Sequence, residues 1–349
     1  DPRHREERSD PRHREERSDV AISQCWSLCQ SERDCHALRA RNDSRRARSD
    51  SRFAALCRCI DGHGCTVSAA HQQFAARHVI VMAAPNGARR GHDDHAALPV
   101  TPREIADCAA DLLDAGVSVL HLHVRDSDGQ HTLDADCYRN AIRHIRQRVG
   151  DNLILQVTTE AVGRYKPDEQ MAMVRDVKPE AVSIALRELC PDEASEKVAS
   201  GFFHWAVRER IWSQVIVYSP DELVRFDTLR RKGLFGEEHP FCLLVLGRYA
   251  DGQPGDPAEL HRMLGAVDCS SFPWATCCFG GREHEAMTVA LEQGGHARVG
   301  FENNLLLADG RPARDNAELV SQFVAAVKAS PRIPACADDI RGELLGRAP

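Results

Sequence analysis

From residue 78 onward, short runs of apolar and β-branched residues alternate with longer stretches whose apolar positions recur at helical spacing. The runs 78–85, 117–124, 153–159, 181–186, 213–218, 241–247, 271–278 and 296–302 predict strands, with Pro273 weakening the first half of the seventh. Helical patterns cover 102–115, 134–148, 167–177, 202–210, 256–266, 283–293 and 315–329, and one more opens after Ser219. Their starts carry explicit signals. Thr101-Pro102-Arg103-Glu104 supplies an N-cap, a proline at the first helical position and a capping-box acid, and Ser219-Pro220-Asp221-Glu222 repeats the device. Eight strand–helix units in roughly 270 residues match the size and rhythm of an α/β fold, the (β/α)8 or TIM barrel. A doubly wound sheet also alternates, but its mark is a Gly-rich turn after the first strand, where only Asn86-Gly87 stands here. The barrel is expected over residues 76–349.

The residues before it read differently. The nonapeptide DPRHREERS occurs twice, at 1–9 and 10–18, and Arg-rich runs follow without period 2 or period 3.6. One highly charged repeat has no apolar face to bury. Six of the chain's 14 cysteines lie here (Cys25, Cys29, Cys35, Cys57, Cys59 and Cys65), close to His36 and His63. They could form a small zinc module, but the paired C-x2-C knuckles of such modules are missing. Residues 1–75 are therefore read as a low-complexity, disordered N-terminal extension. The other eight cysteines are scattered through a chain long enough to build its own core, and are expected to be reduced, buried thiols of a cytoplasmic protein. A net charge of −7 gives no case for nucleic acid. No apolar run approaches the roughly 20 residues of a membrane span, so no membrane partner is expected. Nor does a basic start lead into an apolar stretch of signal-peptide type.

A barrel carries its chemistry at the carboxyl ends of its strands. The second strand ends in His121-Leu122-His123-Val124-Arg125-Asp126. Residues i and i+2 share a face of a strand, so both imidazoles point inward while Leu122 and Val124 point to the helices. Two histidines at a barrel mouth form a ready bidentate metal site. Glu302, at the end of the eighth strand within Arg298-Val299-Gly300-Phe301-Glu302-Asn303-Asn304, is the candidate third ligand. Strands eight and two flank strand one in a closed barrel, which lets these ends converge. Two imidazoles and a carboxylate suit zinc, with iron and manganese as alternatives. Thr158, Thr159 and Glu160 end the third strand and Ser183 lies in the fourth. Their hydroxyls can bind a substrate carboxylate, or simply reflect β-propensity. Asn86 and Gly87 offer an amide and a close backbone approach, or only a turn. Arg248 and Gly280-Gly281-Arg282 are possible anion contacts.

Taken together, these residues resemble the zinc-dependent β-keto acid cleavage enzymes, of the 3-keto-5-aminohexanoate cleavage type. The matching pieces are Pro85-Asn86-Gly87-Ala88-Arg89, HLHVRD at 121–126, Thr158-Thr159, RVGFENN at 298–304 and ADDIRGELLG at 337–346. They span about the whole predicted barrel, and the arm has no counterpart. The resemblance implies a TIM barrel holding zinc through His121, His123 and Glu302. It implies condensation of a β-keto acid with acetyl-CoA by a retro-Claisen-like exchange, giving acetoacetyl-CoA or a related acyl product. Thr158, Thr159 and Ser183 would hold the carboxylate. It also implies a homo-oligomer, a tetramer.

Two departures bear on the site. The family often has Asp after the zinc-binding Glu, working with the arginine that matches Arg298; here the position is Asn303, whose amide is no base near neutral pH. Glu160 stands where a glycine is common, and is assigned as the replacement carboxylate. Arg89 occupies a place where some relatives have an acid, so an anionic or polar substrate tail is expected. An amidohydrolase-like hydrolase is the enzymatic alternative, but it would carry H-x-H on its first strand and a lysine among its ligands. A barrel that binds zinc and acyl-CoA without catalysis is the other alternative, with Asn303 as its sign.

Overall fold

The computed structural model describes residues 69–237, 240–248 and 253–347. The tandem nonapeptides and the cysteine–histidine module considered above lie outside the described residues. A helix over Ala69–Arg77 leads into β1 (His78–Val79) and β2 (Val81–Ala83), which share the first predicted strand. The rest of the barrel is β3 (Val119–Leu122), β4 (Ile154–Thr158), β5 (Ala181–Ala185), β6 (Trp212–Val217), β7 (Phe241–Leu246), β8 (Trp274–Cys278) and β9 (His296–Val299). Strands β2 to β9 close a barrel in sequence order, every pairing parallel, with β2 flanked by β3 and β9. Helices Pro102–Asp114, Ala135–Val149, Pro167–Val177, Glu193–Arg208, Pro220–Arg231, Pro257–Leu264, Glu283–Glu292 and Asn316–Ala329 follow the barrel strands in turn. The capping box at Thr101 forms as expected, with Glu104 N–H on the Thr101 hydroxyl and the Glu104 carboxylate on Thr101 N–H.

Alternation along each strand sorts the core into two. Leu120, Leu122, Val157, Val182, Val215 and Leu244 face the helices. Val119, Ile154, Ala181, Trp212, Phe241 and Ala275 point inward and fill the lower barrel. Phe74 from the first helix plugs the amino ends of the strands, 0% exposed, together with Ala335, Ala337 and Ile340. There β1 pairs with β10 (Ile333–Pro334), and the buried Arg332 guanidinium donates to the carbonyls of His78, Leu291 and Gly295. Loops at the carboxyl ends are thereby left as the open face.

Three expectations need correction. The helix after β5 begins at Glu193, not at 202; its first turns, EASEKVAS, are too polar to show a period, but Asp192 caps them through Ser195 N–H. The helix Ala69–Arg77 overlaps the end of the arm as drawn from the sequence, with His71 and Phe74 buried. Of the eight cysteines beyond residue 75, none is bridged, but only Cys190, Cys242, Cys277 and Cys278 are buried; Cys108, Cys137 and Cys269 are half-buried and Cys336 is exposed.

Candidate active site

His121 and His123 point into the barrel at its carboxyl end, both essentially inaccessible. Their Nε2 atoms lie 3.0 Å apart. Glu302 reaches them across β2, its Oε2 3.5 Å from His121 Nε2 and 3.8 Å from His123 Nε2. Gly87 makes this approach possible: at φ +62° it takes the left-handed conformation, and a Cβ there would sit 2.6 Å from Glu302 Cγ.

Neighbouring groups fix which nitrogen carries each proton. Gln156 Oε1 accepts from His121 Nδ1 at 2.9 Å, leaving the His121 Nε2 lone pair facing the cavity. His131 Nε2 donates to the Glu160 carbonyl at 3.0 Å, so its Nδ1 accepts from His123 Nδ1 at 3.4 Å, and the His123 Nε2 lone pair faces the same point. Burial holds all three imidazoles neutral. The pKa values of His121 and His123 fall well below the usual range, with Arg298 adding to burial at His121 and the neighbouring histidines at His123. That of His131 drops to about 4 by burial. Glu302 Oε2 is buried without a hydrogen-bond partner among the described residues, and burial raises its carboxyl pKa. An uncompensated acceptor costs about 1–3 kcal/mol. Two neutral imidazole lone pairs and an orphaned carboxylate oxygen aimed at one point fit a divalent cation, and all three ligand atoms lie within 4.8 Å of one another.

Arg298 points inward from β9, its Nη2 3.4 Å from both Glu302 Oε1 and Cys277 Sγ. The cavity above these groups holds about 210 Å3 and is lined also by Arg89, Thr158, Glu160, Ser183, Arg187 and Arg248, with Ala185, Ile216, Tyr218, Val245 and Phe279 as its apolar surface. Glu160 Oε2 stands 3.8 Å from His123 Nδ1. Burial, with Glu302 and Glu188 nearby, pushes its carboxyl up to about 7. Asn86 and Gly87 line a smaller adjoining hollow with Arg89, Glu160 and Glu302; Asn86 Nδ2 donates to the His123 carbonyl at 3.1 Å, and its Oδ1 has no partner among the described residues. Arg125 organises that loop, donating to the carbonyls of Gly87, Ala88 and Arg90.

Most of the residues singled out in the sequence thus meet in one place. Two do not. Thr159 lies on the opposite parity from Thr158 and spends its hydroxyl on the Ser183 carbonyl at 3.1 Å. Asn303 is fully buried behind the cavity wall, its Nδ2 3.3 Å from Glu283 Oε1 and from the Arg298 carbonyl. Arg282 is engaged with Asp256 and Glu285 at the surface. Sequence reasoning passed over Gln156, His131, Arg187 and Glu283. Period 2 along β4 could have found Gln156, which sits in register with His121. His131 returns to the site through a one-bridge hairpin with Arg125, which no periodicity announces.

A closed parallel barrel with its ionisable groups gathered at the carboxyl ends of the strands is the architecture of a TIM-barrel enzyme. The family model for the beta-keto acid cleavage enzymes matches residues 78–346. The chain belongs to that family, and it is an enzyme of β-keto acid cleavage. It is 29% identical over 273 residues to a 3-keto-5-aminohexanoate cleavage enzyme of Acetoanaerobium sticklandii, spanning 77% of this chain and 98% of the relative. It is 28% identical to a 3-dehydrocarnitine:acetyl-CoA trimethylamine transferase of Rhizobium meliloti, over 72% of this chain and 91% of that one. Among solved structures, the ternary complex of ObcA with a C4-CoA adduct and oxalate shares the fold: TM-score 0.59 and 17% identity, covering 72% of this chain and 67% of the other. Among the described residues, no helix is long and apolar enough to cross a membrane.

Proposed function

We propose that this chain is a zinc-dependent acyltransferase that cleaves a β-keto acid against acetyl-CoA. The observation that carries the metal is the pair of Nε2 atoms 3.0 Å apart beneath the orphaned Glu302 Oε2. His121, His123 and Glu302 would hold the ion, which when bound supplies Lewis-acid polarisation of the β-carbonyl. The hydroxyls of Thr158 and Ser183 and the Asn86 amide orient the substrate carboxylate. Glu160 faces the same space and accepts the proton from the attacking carbon. Arg298, fixed by Glu302 and Cys277, keeps a positive charge beside the developing anion. Asn303 acts by holding this loop, not by touching substrate. With one CoA entering and one leaving, the balance is a new acyl-CoA plus acetoacetate as the free acid, which corrects the acetoacetyl-CoA product expected above.

Relatives named for acetyl-CoA transfer support the co-substrate. A panel of β-keto acids with acetyl-CoA, followed by mass spectrometry of acyl-CoA products beside metal analysis, tests the reading; no exchange from fully zinc-loaded protein overturns it. Glu160→Gln should lower turnover by about 10²-fold or more. Unchanged turnover would remove Glu160 from the reaction. We further place the enzyme in the cytoplasm as a homo-oligomer, a tetramer by resemblance, which light scattering checks. Residues 1–68 are proposed to be dispensable, so a chain beginning at Ala69 should keep its kcat.

A further inference from the structure

Metal-ligating side chains gather at a second place, far from the barrel mouth. Among the described residues, one group besides the triad brings three such side chains together, with an atom of each within 4.8 Å of the other two: His78, Asp339 and Glu343. It lies at the amino ends of the strands, where β1 and the last turns of the chain close the barrel. No step of the cleavage reading takes place there.

His78 opens β1 and is 6% exposed, its ring stacked on that of Phe74 with centroids 4.9 Å apart. Its Nδ1 is buried without a hydrogen-bond partner among the described residues, and Asp339 Oδ2 is 4.0 Å away. Its Nε2 lies 3.9 Å from Glu343 Oε1. Both separations exceed the roughly 2.7–3.2 Å of a hydrogen bond, so the ring has a carboxylate oxygen on either side and is hydrogen-bonded to neither. A buried nitrogen left in that state destabilises the fold unless something else takes its lone pair. Asp339 and Glu343 stand four residues apart in the consecutive turns Ala337–Asp339 and Ile340–Leu344, and both face the same ring. Each acid has an outer anchor. Asp339 Oδ2 also accepts from Cys336 N–H at 2.8 Å, and Glu343 Oε2 pairs with Arg77. Arg341, the next cation along these turns, is engaged by Glu180 and Asp338. Two carboxylates against one guanidinium leave the site with negative charge to offer a cation.

We infer that His78, Asp339 and Glu343 form a second divalent-cation site, a zinc clamp that ties the first strand to the last turns of the chain beneath Phe74. One imidazole nitrogen and two carboxylate oxygens are a zinc donor set, whereas magnesium takes oxygen ligands. Donor atoms around a tetrahedral zinc lie about 3.3 Å apart, so each acid closes on the ring by about 0.6 Å. Their side chains are 33% and 41% exposed and have room to do so. Water completes the coordination from that open side. Zinc held by half-exposed acids, one of them shared with Arg77, exchanges on desalting; zinc at the buried triad stays.

The test titrates buffered Zn2+ into the full chain carrying Glu302→Gln, which takes zinc from the triad, and follows the melting temperature. Zinc should raise it, because an ion bound only by the folded chain stabilises that chain by mass action. Adding His78→Gln or Glu343→Gln should raise the free zinc needed for half of that increase by about 10-fold or more, at least the effect of losing an outer partner of a metal ligand. Glu343→Gln alters a partly exposed side chain and carries the test if His78→Gln fails to fold. Arg77→Gln separates the clamp from a plain ion-pair cluster: it frees Glu343 and should lower the zinc required. An unchanged or higher requirement in Arg77→Gln overturns the clamp. So does the absence of any rise, or an equal rise in every chain, which places the ion elsewhere, for instance on the cysteines before residue 75. A rise matched by Mg2+ at the same concentration also overturns it. With Glu302 restored and the triad loaded, Glu343→Gln should leave kcat unchanged; a lower kcat overturns the assignment of a purely structural ion.

Discussion

At the amino ends of the barrel strands the inward residues are Val119, Ile154, Trp212 and Phe241, closed over by Phe74 and Ile340. Two residues further along β3, β4 and β5, inward positions are His121, Gln156 and Ser183, with Arg298 on β9 beside them. Both regions are built on the same alternation. The lower one contributes stability through apolar area at about 25 cal/mol per Å2. The upper one contributes little of that and collects buried polar atoms lacking partners among the described residues, including Asn86 Oδ1, Gln156 Nε2, Arg298 Nε and Glu302 Oε2. Such atoms destabilise the empty fold, so the mouth gives up stability to present ligand-binding groups, and the plug below compensates.

The sharpest break in that contrast is at the ligands. Glu302→Gln or His121→Ala should cut kcat/KM by about 10³-fold or more, remove zinc as read by elemental analysis, and leave the melting temperature unchanged or higher than that of the metal-free wild type. A fall in melting temperature as large as that of a plug variant would erase the distinction. Phe74→Ala is that variant: it should lose about 3–5 kcal/mol of unfolding free energy in urea while activity per folded molecule stays near wild type. Next comes Gln156→Leu, which removes the acceptor that fixes the His121 tautomer; zinc affinity should drop about 10–100-fold in chelator competition, with a smaller effect on stability.

The smallest effect concerns Glu283, fully buried at the edge of the mouth and accepting from Gly300 N–H, Asn303 Nδ2 and Asn304 Nδ2. Burial pushes its carboxyl up to about 8. Between the ordinary carboxyl range and pH 8 the folded state holds a proton that the unfolded chain has released, so stability falls as pH rises through that window. Glu283→Gln should flatten the slope of melting temperature against pH there, by a few degrees at about 2–4 °C per kcal/mol. An unaltered slope assigns it to other groups.

The barrel was legible because the strands are apolar runs and several helix starts are marked by a cap, as at Thr101 and Ser219. Where the apolar period is absent the reading failed, as in the polar first half of Glu193–Arg208 and in Ala69–Arg77. The convergence of His121, His123 and Glu302 was legible because the two histidines obey period 2 and Glu302 follows closely on the last barrel strand. What surrounds the triad was not. Thr158 and Thr159 look equivalent as letters, yet strand parity turns one inward and the other onto a neighbouring carbonyl. Asn303 adjoins a ligand in sequence but is turned to Glu283, a partner 20 residues away whose approach depends on how the helix Glu283–Glu292 packs.

The chain of hydrogen bonds from His123 through His131 ends on the main-chain oxygen of Glu160. An amide oxygen has no protonation state in the working range, so acid or base cannot rewire the imidazole it governs. It is also common to every amino acid. Residue 160 can therefore be exchanged for another, and a new chemical function tried at the mouth, without disturbing the orientation of the histidine two links away. The fold separates what must stay constant, carried by backbone, from what selection can revise, carried by a side chain at the same position.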